Sequence, residues 1–178
     1  MDWSIEGRAA RVRAIVFDVD GVLTRGELIY GAEGEALKVF NVQDGQGFAL
    51  ARRAGLKLAL LSGRSGAALR RRAEDLKVDA LREGVERKGA MLRELCGILR
   101  VKPEEVCYVG DDLIDLPALR EAGFPVAVAN AVPEVRERAA WVTTRSGGDG
   151  AAREVIEFVL KARGQWSGIV KQFAEDEE

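Results

Sequence analysis

Short apolar runs alternate with helical periods along this chain, and this alternation constrains the fold more than any other feature. Four runs are typical of strands: residues 13–17, 58–61, 106–109 and 126–128. Apart from Arg13 at the start of the first run, each run is apolar at successive rather than alternate positions, so both of its faces must be covered. Helical periods lie between the runs and beyond the last of them. The order predicts an α/β fold with a doubly wound, mostly parallel sheet, in which ligands bind at the carboxyl ends of the strands.

One segment departs from this alternation of strands and helices. Residues 26–30 and 36–40 flank a glycine-bearing turn, which predicts a β-hairpin within about residues 23–40. Because the hairpin follows the first strand, it should overhang the carboxyl edge of the sheet. A chain of 178 residues suits one domain, here residues 1–164. The remaining segment, 165–178, ends in four acidic residues and is predicted to be a mobile tail.

Histidine is absent from the chain, and this excludes whole classes of chemistry. Neither a Ser-His-Asp or Cys-His nucleophile pair nor a histidine zinc site can be built. Cys96 and Cys107 lack paired ligand spacing and are expected to be buried apolar residues. With 27 basic and 29 acidic residues, the net charge of −2 gives no electrostatic reason to bind nucleic acid or an anionic membrane.

The start of the chain does not resemble a targeting segment. It contains acids and lacks an apolar core, and no apolar stretch approaches the roughly 20 residues that span a bilayer. The protein is therefore expected to be cytoplasmic.

Two carboxylates, Asp18 and Asp20, follow the first strand directly. An isolated Asp-x-Asp is more often a turn or a solvated loop. This pair, however, stands where ligands bind in a parallel sheet, after a wholly apolar strand. Asp18 can face a metal and a substrate. Asp20, turned by the bend at Gly21, can offer its carbonyl to the metal and its carboxyl to a proton.

A second acidic group, Asp111, Asp112 and Asp115, follows the strand at 106–109. Helix capping explains one or two of these carboxylates but hardly all three. Five carboxylates that converge on one edge would repel one another without a cation. Ligation by oxygen alone, with no histidine or paired thiolate, points to Mg²⁺.

Two other strand ends offer groups that suit an anion. Ser62, Gly63 and Arg64 supply a hydroxyl and backbone N–H groups at the start of a helix, although a plain helix N-cap is the alternative. Lys88 opens the next predicted helix, where a cation is unfavourable for the helix dipole. That position indicates another task for Lys88, with a solvated surface lysine as the alternative.

Taken in order, these motifs resemble those of the haloacid dehalogenase superfamily of phosphotransferases, over about residues 15–153. The motifs are Asp18-x-Asp20-Gly21-x-x-Thr24, Ser62-Gly63-Arg64, Lys88 and Gly110-Asp111-Asp112-x-x-Asp115. The resemblance implies a Rossmann-like core and a phosphatase that works through an aspartyl phosphate.

The same resemblance implies a role for each motif residue. Asp18 is the nucleophile, and Asp20 is the general acid and base, with neighbouring acids expected to help it hold a proton. Ser62 and Lys88 hold the phosphoryl oxygens, with Thr24 and Gly63 beside the substrate. Mg²⁺ is bound by Asp18, the carbonyl of Asp20, Asp111 and Asp115.

The intervals between the motifs leave no room for a cap domain with its own core. An uncapped site is open to water, so either a macromolecular phosphate or a neighbouring subunit must cover it. Segments 34–47, 126–131 and 147–154 resemble the 3-deoxy-D-manno-octulosonate (KDO) 8-phosphate phosphatases. This resemblance implies hydrolysis of KDO 8-phosphate for lipopolysaccharide synthesis, by a homotetramer in which a neighbour's hairpin or tail covers the site.

Arg64 and Arg72 fall where that family places arginines near the sugar acid, and arginine suits a carboxylate. The run 70–72 is equally compatible with a solvated helix face. Gln43 stands where many relatives carry arginine, so the phosphate of a nine-carbon keto-sugar acid is an alternative substrate. A non-catalytic oligomerisation module is a second alternative, although the full motif set is present. A signalling receiver domain would need an adjacent acid pair after the first strand, which this chain lacks.

Overall fold

The structure is a computed structural model that describes residues 4–32 and 34–175. Its strands are β1 (Ala14–Phe17), β2 (Ile29–Gly31), β3 (Gly34–Leu37), β4 (Lys57–Leu61), β5 (Ala80–Arg82), β6 (Val106–Gly110), β7 (Phe124–Ala127) and β8 (Trp141–Val142). Six of them form a parallel sheet in the order β5-β4-β1-β6-β7-β8. The other two, β2 and β3, form an antiparallel hairpin. The predicted parallel α/β fold is therefore confirmed.

Helices cover both faces of the sheet. They are α1 (Ile5–Ala10), α2 (Val42–Arg53), α3 (Ala67–Leu76), α4 (Lys88–Leu99), α5 (Leu116–Glu121), α6 (Pro133–Arg136), α7 (Ala151–Ala162) and α8 (Trp166–Glu175). On one face α7 packs against α1 and α2, and on the other α4 packs against α5. No helix within the described residues has the length and apolar character needed to cross a membrane.

The core explains why the central strands are apolar on both sides. Every residue of β1, β6 and β7 is buried, and in β4 only Lys57 at its start is exposed. Phe17 of β1 packs on Phe48 of α2, with ring centroids 4.9 Å apart. Cys96 and Cys107 are buried and unpaired, as expected for small apolar residues.

The direction of strand addition reverses between β1 and β6. From β1 the chain adds β4 and β5 on one side, then returns to add β6, β7 and β8 on the other. Adjacent strands whose connections leave in opposite directions create a crevice at their carboxyl ends. Asp18 follows β1 and Asp111 follows β6, so both predicted acidic groups lie at this crevice.

Several elements were not predicted from the sequence. The strands β5 and β8 and the helices α1, α6 and α8 are present in the structure but absent from the sequence assignment. The predicted tail begins with α8, whose Trp166 lies 5.5 Å from the Arg153 guanidinium, measured from ring centroid to Cζ. Residues 176–178 of the tail lie outside the described residues, and the mobility of the segment stays a prediction.

Candidate active site

The carboxylates of Asp18, Asp111 and Asp115 form a group at the crevice. Each offers one oxygen, and these oxygens lie within 4.8 Å of one another. The backbone brings them together because β1 and β6 are neighbours, with Asp18 N donating to Val109 O at 2.9 Å. The convergence of the two acidic motifs is thus a consequence of strand order.

Asp115 is fully buried and organises this group through both of its oxygens. Its Oδ1 accepts hydrogen bonds from Lys88 Nζ at 2.7 Å and from the Tyr108 hydroxyl at 2.7 Å. Its Oδ2 accepts the backbone N–H groups of Asp111 at 2.9 Å and Asp112 at 3.2 Å. The contacts hold the loop after β6 in place and connect it to Lys88.

Lys88 begins α4 with a side chain that is only 1% exposed, so it is not a solvated surface lysine. Its Nζ lies 2.8 Å from Asp18 Oδ1 as well as 2.7 Å from Asp115 Oδ1. Burial alone would lower the pKa of Lys88, but the charges of Asp18 and Asp115 outweigh it and raise the pKa. Lys88 is therefore a fixed positive charge beside Asp18.

The pKa values of Asp18 and Asp111 are both raised. Burial and then the charge of Asp115 raise the pKa of Asp18 to about 7. Burial and then the charges of Asp18 and Asp115 raise the pKa of Asp111 to about 8. Asp111 Oδ1 is also buried without a hydrogen-bond partner among the residues described. A largely buried, oxygen-only set with an unpartnered oxygen fits a hard divalent cation, which would supply the missing charge.

Gly21 sets how closely the two acidic loops approach. Its φ is +90°, and a Cβ built there would lie 1.9 Å from Asp111 Oδ2. Glycine alone tolerates both the conformation and the contact. The Gly21 carbonyl also accepts from Asn130 Nδ2 at 3.2 Å, and Asn130 Oδ1 accepts from Gly147 N at 2.6 Å. Asn130 thus connects the segments 126–131 and 147–154 to the loop after β1.

Asp20 lines the same cavity as Asp18 and Asp111, so it has the acidic neighbours expected from the sequence. Their help in holding a proton on Asp20 stays a prediction. The structure adds a basic neighbour that was not expected, because the hairpin brings Lys38 Nζ against Asp20 Oδ1.

The remaining predicted site residues fall into two groups. Gly63, Arg64 and Ile114 join the acidic residues and Lys88 around a cavity of about 280 Å³. Ser62 is fully buried beside it, with its hydroxyl accepting from Arg64 N at 3.0 Å. Thr24 does not line this cavity, since its buried hydroxyl accepts from Gly21 N at 3.3 Å and Gly26 N at 3.2 Å.

Arg72 also lies away from this cavity. It donates to Asn41 O at 3.1 Å, and its guanidinium carbon lies 5.1 Å from the centroid of the Phe40 ring. Burial lowers the pKa of Arg72, with Asp75 and Asp44 opposing that effect. The structure thus places the Arg72 side chain between α3 and the start of α2, half-buried rather than on a solvated helix face. Its role near the sugar acid stays a prediction.

Two residues of the site were missed in the sequence analysis. Tyr108 was treated only as part of an apolar strand, and Lys38 only as part of the hairpin. The alternation in segment 36–40, in which Lys38 is the one charged side chain, was the available signal for Lys38. For Tyr108 the available signal was its hydroxyl, which needs a hydrogen-bond partner when it is buried in an otherwise apolar strand.

Comparisons with known proteins agree with this geometry. Residues 78–155 match the family model of haloacid dehalogenase-like hydrolases. The chain is 40% identical to 3-deoxy-D-manno-octulosonate 8-phosphate phosphatase KdsC of Yersinia pestis, over 90% of this chain and 86% of that protein. Its identity to KdsC of Escherichia coli K12 is also 40%, over 89% of this chain and 84% of the relative.

Solved structures give the same assignment. The Moraxella catarrhalis phosphatase, in complex with magnesium, phosphate and KDO, superposes with a TM-score of 0.92 at 38% identity, over 95% of this chain and 97% of that one. The cobalt-bound Haemophilus influenzae phosphatase superposes with a TM-score of 0.91 at 37% identity, over 94% of this chain and 99% of that one. The chain therefore belongs to the haloacid dehalogenase-like hydrolases and, within them, to the family of 3-deoxy-D-manno-octulosonate 8-phosphate phosphatases.

Proposed function

We propose that this protein is a phosphatase that hydrolyses KDO 8-phosphate to KDO and inorganic phosphate in lipopolysaccharide sugar synthesis. The observation that supports it most is the pairing of Asp18 with Lys88, beside Asp111, at the crevice between β1 and β6. The named relatives act on the eight-carbon sugar acid, so they favour it over a nine-carbon substrate. The complete motif set argues against a non-catalytic module.

Asp18, Asp111 and the backbone carbonyl of Asp20 would hold Mg²⁺, with Asp115 in support. When bound, the ion supplies positive charge that offsets the charge on the phosphoryl oxygens. Lys88 supplies a second positive charge at the same place. Relatives with bound magnesium or cobalt support this assignment, as does the unpartnered oxygen of Asp111.

The protein's own residues then account for both chemical steps. In the first, a carboxylate oxygen of Asp18 forms a bond to phosphorus while the bond from phosphorus to the sugar oxygen breaks. The leaving oxygen takes a proton from Asp20. In the second, the oxygen of water forms a bond to the phosphorus of the aspartyl phosphate while the bond from phosphorus to Asp18 breaks, and the water gives a proton to Asp20. Asp18 is then again a carboxylate, Asp20 is again a protonated acid, and phosphate is released.

The binding of the sugar acid is part of the same proposal. Arg64 lines the cavity and can pair with the carboxylate of the substrate through two parallel hydrogen bonds. Gly63 and Ser62 lie at the same strand end, where backbone N–H groups suit phosphoryl oxygens. Thr24 and Arg72 would act on the substrate indirectly, Thr24 through the loop after β1 and Arg72 through Asn41.

Phosphate release tests this function directly. KDO 8-phosphate, nine-carbon keto-acid phosphates, hexose phosphates, nucleotides and phosphopeptides should be compared, each with Mg²⁺ and with a chelator. The expected result is Mg²⁺-dependent release with the highest kcat/KM for KDO 8-phosphate. A preference for phosphopeptides would refute the substrate, and no release from any ester would refute the reaction.

We also propose a homotetramer in which a neighbouring subunit covers the site. The hairpin and its flanks expose large apolar side chains, namely Leu28, Ile29, Tyr30, Leu37 and Val39. An exposed apolar group of this kind is typical of a protein interface. Leu37→Asp should lower the mass measured by sedimentation, whereas Val170→Asp on α8 should not. A wild type that sediments as a monomer would contradict the proposal.

The domain division and the location are proposals as well. Residues 1–164 contain every motif residue and would form the catalytic domain, with 165–178 as a mobile tail. The substrate is expected in the cytoplasm because a phosphorylated sugar acid does not cross a membrane unaided. Cell fractionation tests this, and an enzyme found outside the cytoplasm would contradict it.

A further inference from the structure

Lys38 lies one residue beyond the end of β3, where the hairpin rejoins the domain. Leu37 and Val39 on either side of it are 61% and 66% exposed, whereas the side chain of Lys38 is only 2% exposed. Successive side chains of an extended segment point to opposite sides. Two apolar residues therefore face outward while a charged residue points into the protein, which reverses the usual distribution.

The Lys38 ammonium ends against Oδ1 of Asp20, with which it forms an ion pair and a hydrogen bond. A buried ammonium is costly unless a carboxylate offsets its charge. The ion pair therefore ties the hairpin to the loop after β1. It does so at the residue that the proposed mechanism uses for proton transfer.

This pairing assigns the two oxygens of Asp20 to different tasks. Oδ1 accepts from Lys38, while Oδ2 is buried without a hydrogen-bond partner among the described residues. Asp20 also lines the cavity that contains Asp18. The terminal torsion of an aspartate is broad and roughly two-fold, so without a partner the carboxyl would rotate. A hydrogen bond to one oxygen restricts this rotation.

We infer that Lys38 is a positioning residue, which fixes the carboxyl of Asp20 so that Oδ2 exchanges the proton with the leaving oxygen. The inference rests on the proposed function, because it takes Asp20 as the general acid. As the bond between phosphorus and the leaving oxygen breaks, the electron pair stays on that oxygen, which takes the proton from Oδ2. Asp20 is then a carboxylate beside the Lys38 ammonium.

Positioning of the acid has a consequence that depends on the leaving group. A sugar alkoxide is a poor leaving group and needs the proton as it departs. A p-nitrophenolate ion is stable enough to leave without one. Displacement of Asp20 should therefore slow hydrolysis of a sugar phosphate strongly and hydrolysis of p-nitrophenyl phosphate little.

The test compares kcat for KDO 8-phosphate and for p-nitrophenyl phosphate at saturating Mg²⁺. General acid catalysis is worth about 10²–10⁴-fold, so Lys38→Met should lower kcat for the sugar phosphate by about 10²-fold. For p-nitrophenyl phosphate the loss should be less than about 3-fold, because little acid assistance is needed. Lys38→Arg keeps the charge and should restore most of the loss on the sugar phosphate.

Lys57→Met is the matched control. Lys57 also pairs with an aspartate, Asp79, at 2.8 Å, but at the start of β4 and away from the crevice. It should leave both rates unchanged. Equal losses of Lys38→Met on both substrates, or no loss on either, would overturn the inference.

Two further outcomes remain interpretable. If Lys38→Met does not fold, Lys38→Gln removes the charge with a polar side chain and should show the same selective loss on the sugar phosphate; equal losses of Lys38→Gln on both substrates would also overturn the inference. If the wild type releases no phosphate from either ester with Mg²⁺, the proposed function itself has failed, because Lys38 is intact in that measurement.

Discussion

The Nζ atom of Lys88 lies 2.8 Å from Oδ1 of Asp18, in a part of the crevice where both side chains are buried. A nucleophilic carboxylate must be ionised, and burial opposes ionisation. The lysine compensates for part of that effect without occupying the second oxygen of Asp18. The arrangement keeps a negatively charged nucleophile beside a positive charge that a phosphoryl group can share.

Asp18→Asn tests the nucleophile. An asparagine keeps the shape and can still accept from Lys88, but it cannot form an aspartyl phosphate. Phosphate release should fall by at least about 10³-fold, as expected for loss of a nucleophile. Asp149→Asn, at an exposed pair with Arg25, is the control and should retain activity. Wild-type turnover by Asp18→Asn would exclude Asp18 as the nucleophile.

Stability and Mg²⁺ binding should both depend on pH. The pKa values of Asp18 and Asp111 rise from 3.8 to about 7 and about 8 in the folded, metal-free protein. The folded state therefore holds protons that the unfolded chain has lost. The stability that results is fully present below pH 3.8, the unfolded value, and is lost as the pH rises through about 8.

Mg²⁺ requires the ionised carboxylates, so its binding should release protons and strengthen as the pH rises. Thermal unfolding with Mg²⁺ and with a chelator, from about pH 5 to about pH 9, measures both effects. The increase in Tm caused by Mg²⁺ should grow with pH. An increase that is the same at every pH would contradict this assignment of the raised pKa values.

Gly21→Ala should displace Asp111. A Cβ at this position meets Asp111 Oδ2 at 1.9 Å, and the positive φ adds strain of about 1–3 kcal/mol. Gly55→Ala is a matched control, because its φ is +79° and nothing lies within 4 Å of the added atom. Both variants should lose stability, but only Gly21→Ala should weaken Mg²⁺ binding, measured by titration calorimetry. Equal Mg²⁺ affinities in the two variants would contradict the prediction.

Tyr108→Phe should loosen Asp115. Burial and the charges of Asp115 and Asp18 raise the pKa of Tyr108, so its hydroxyl stays protonated and donates to Asp115. Removing this buried hydrogen bond should lower the free energy of unfolding by about 1–3 kcal/mol, as measured by urea denaturation. Tyr30→Phe, on an exposed hairpin residue, should leave the stability unchanged. If Tyr108→Phe left the free energy of unfolding unchanged, Lys88 and the backbone N–H groups would suffice to hold Asp115.

Substitutions of Arg64 and Arg72 should have different effects on KM and on Tm. Arg64→Ala should raise KM for KDO 8-phosphate, because Arg64 lines the cavity. Arg72→Ala removes the hydrogen bond to Asn41 and the contact with Phe40, so it should lower Tm more than Arg64→Ala does. If Arg72→Ala instead raised KM at unchanged Tm, Arg72 would contact the substrate directly.

The parallel fold was predictable because each of its central strands can be recognised from the residues of its own segment. Fully apolar runs indicate buried strands, and β1, β4, β6 and β7 were found in this way. The strands β5 and β8 were not, because they have three and two residues and are strands only through pairing with β4 and β7. The helix α8 was missed for a similar reason, since it packs through a few apolar residues of a largely exposed segment.

The site was predictable only as far as strand order determines it. Asp18, Asp111 and Asp115 converge because the strands before them are neighbours. The contact of Lys38 with Asp20 depends on how the hairpin folds back, and the position of Arg72 depends on how α3 meets α2. Neither arrangement follows from local pattern, so both required the structure.

The short approach of Gly21 to Asp111 joins two stretches of chain that are remote in sequence and meet only where β1 lies beside β6. Loosening at the periphery, in β8 or α8, leaves that junction intact. Separation of the two innermost strands dismantles it at once. The rate of turnover therefore reports whether β1 and β6 are still paired.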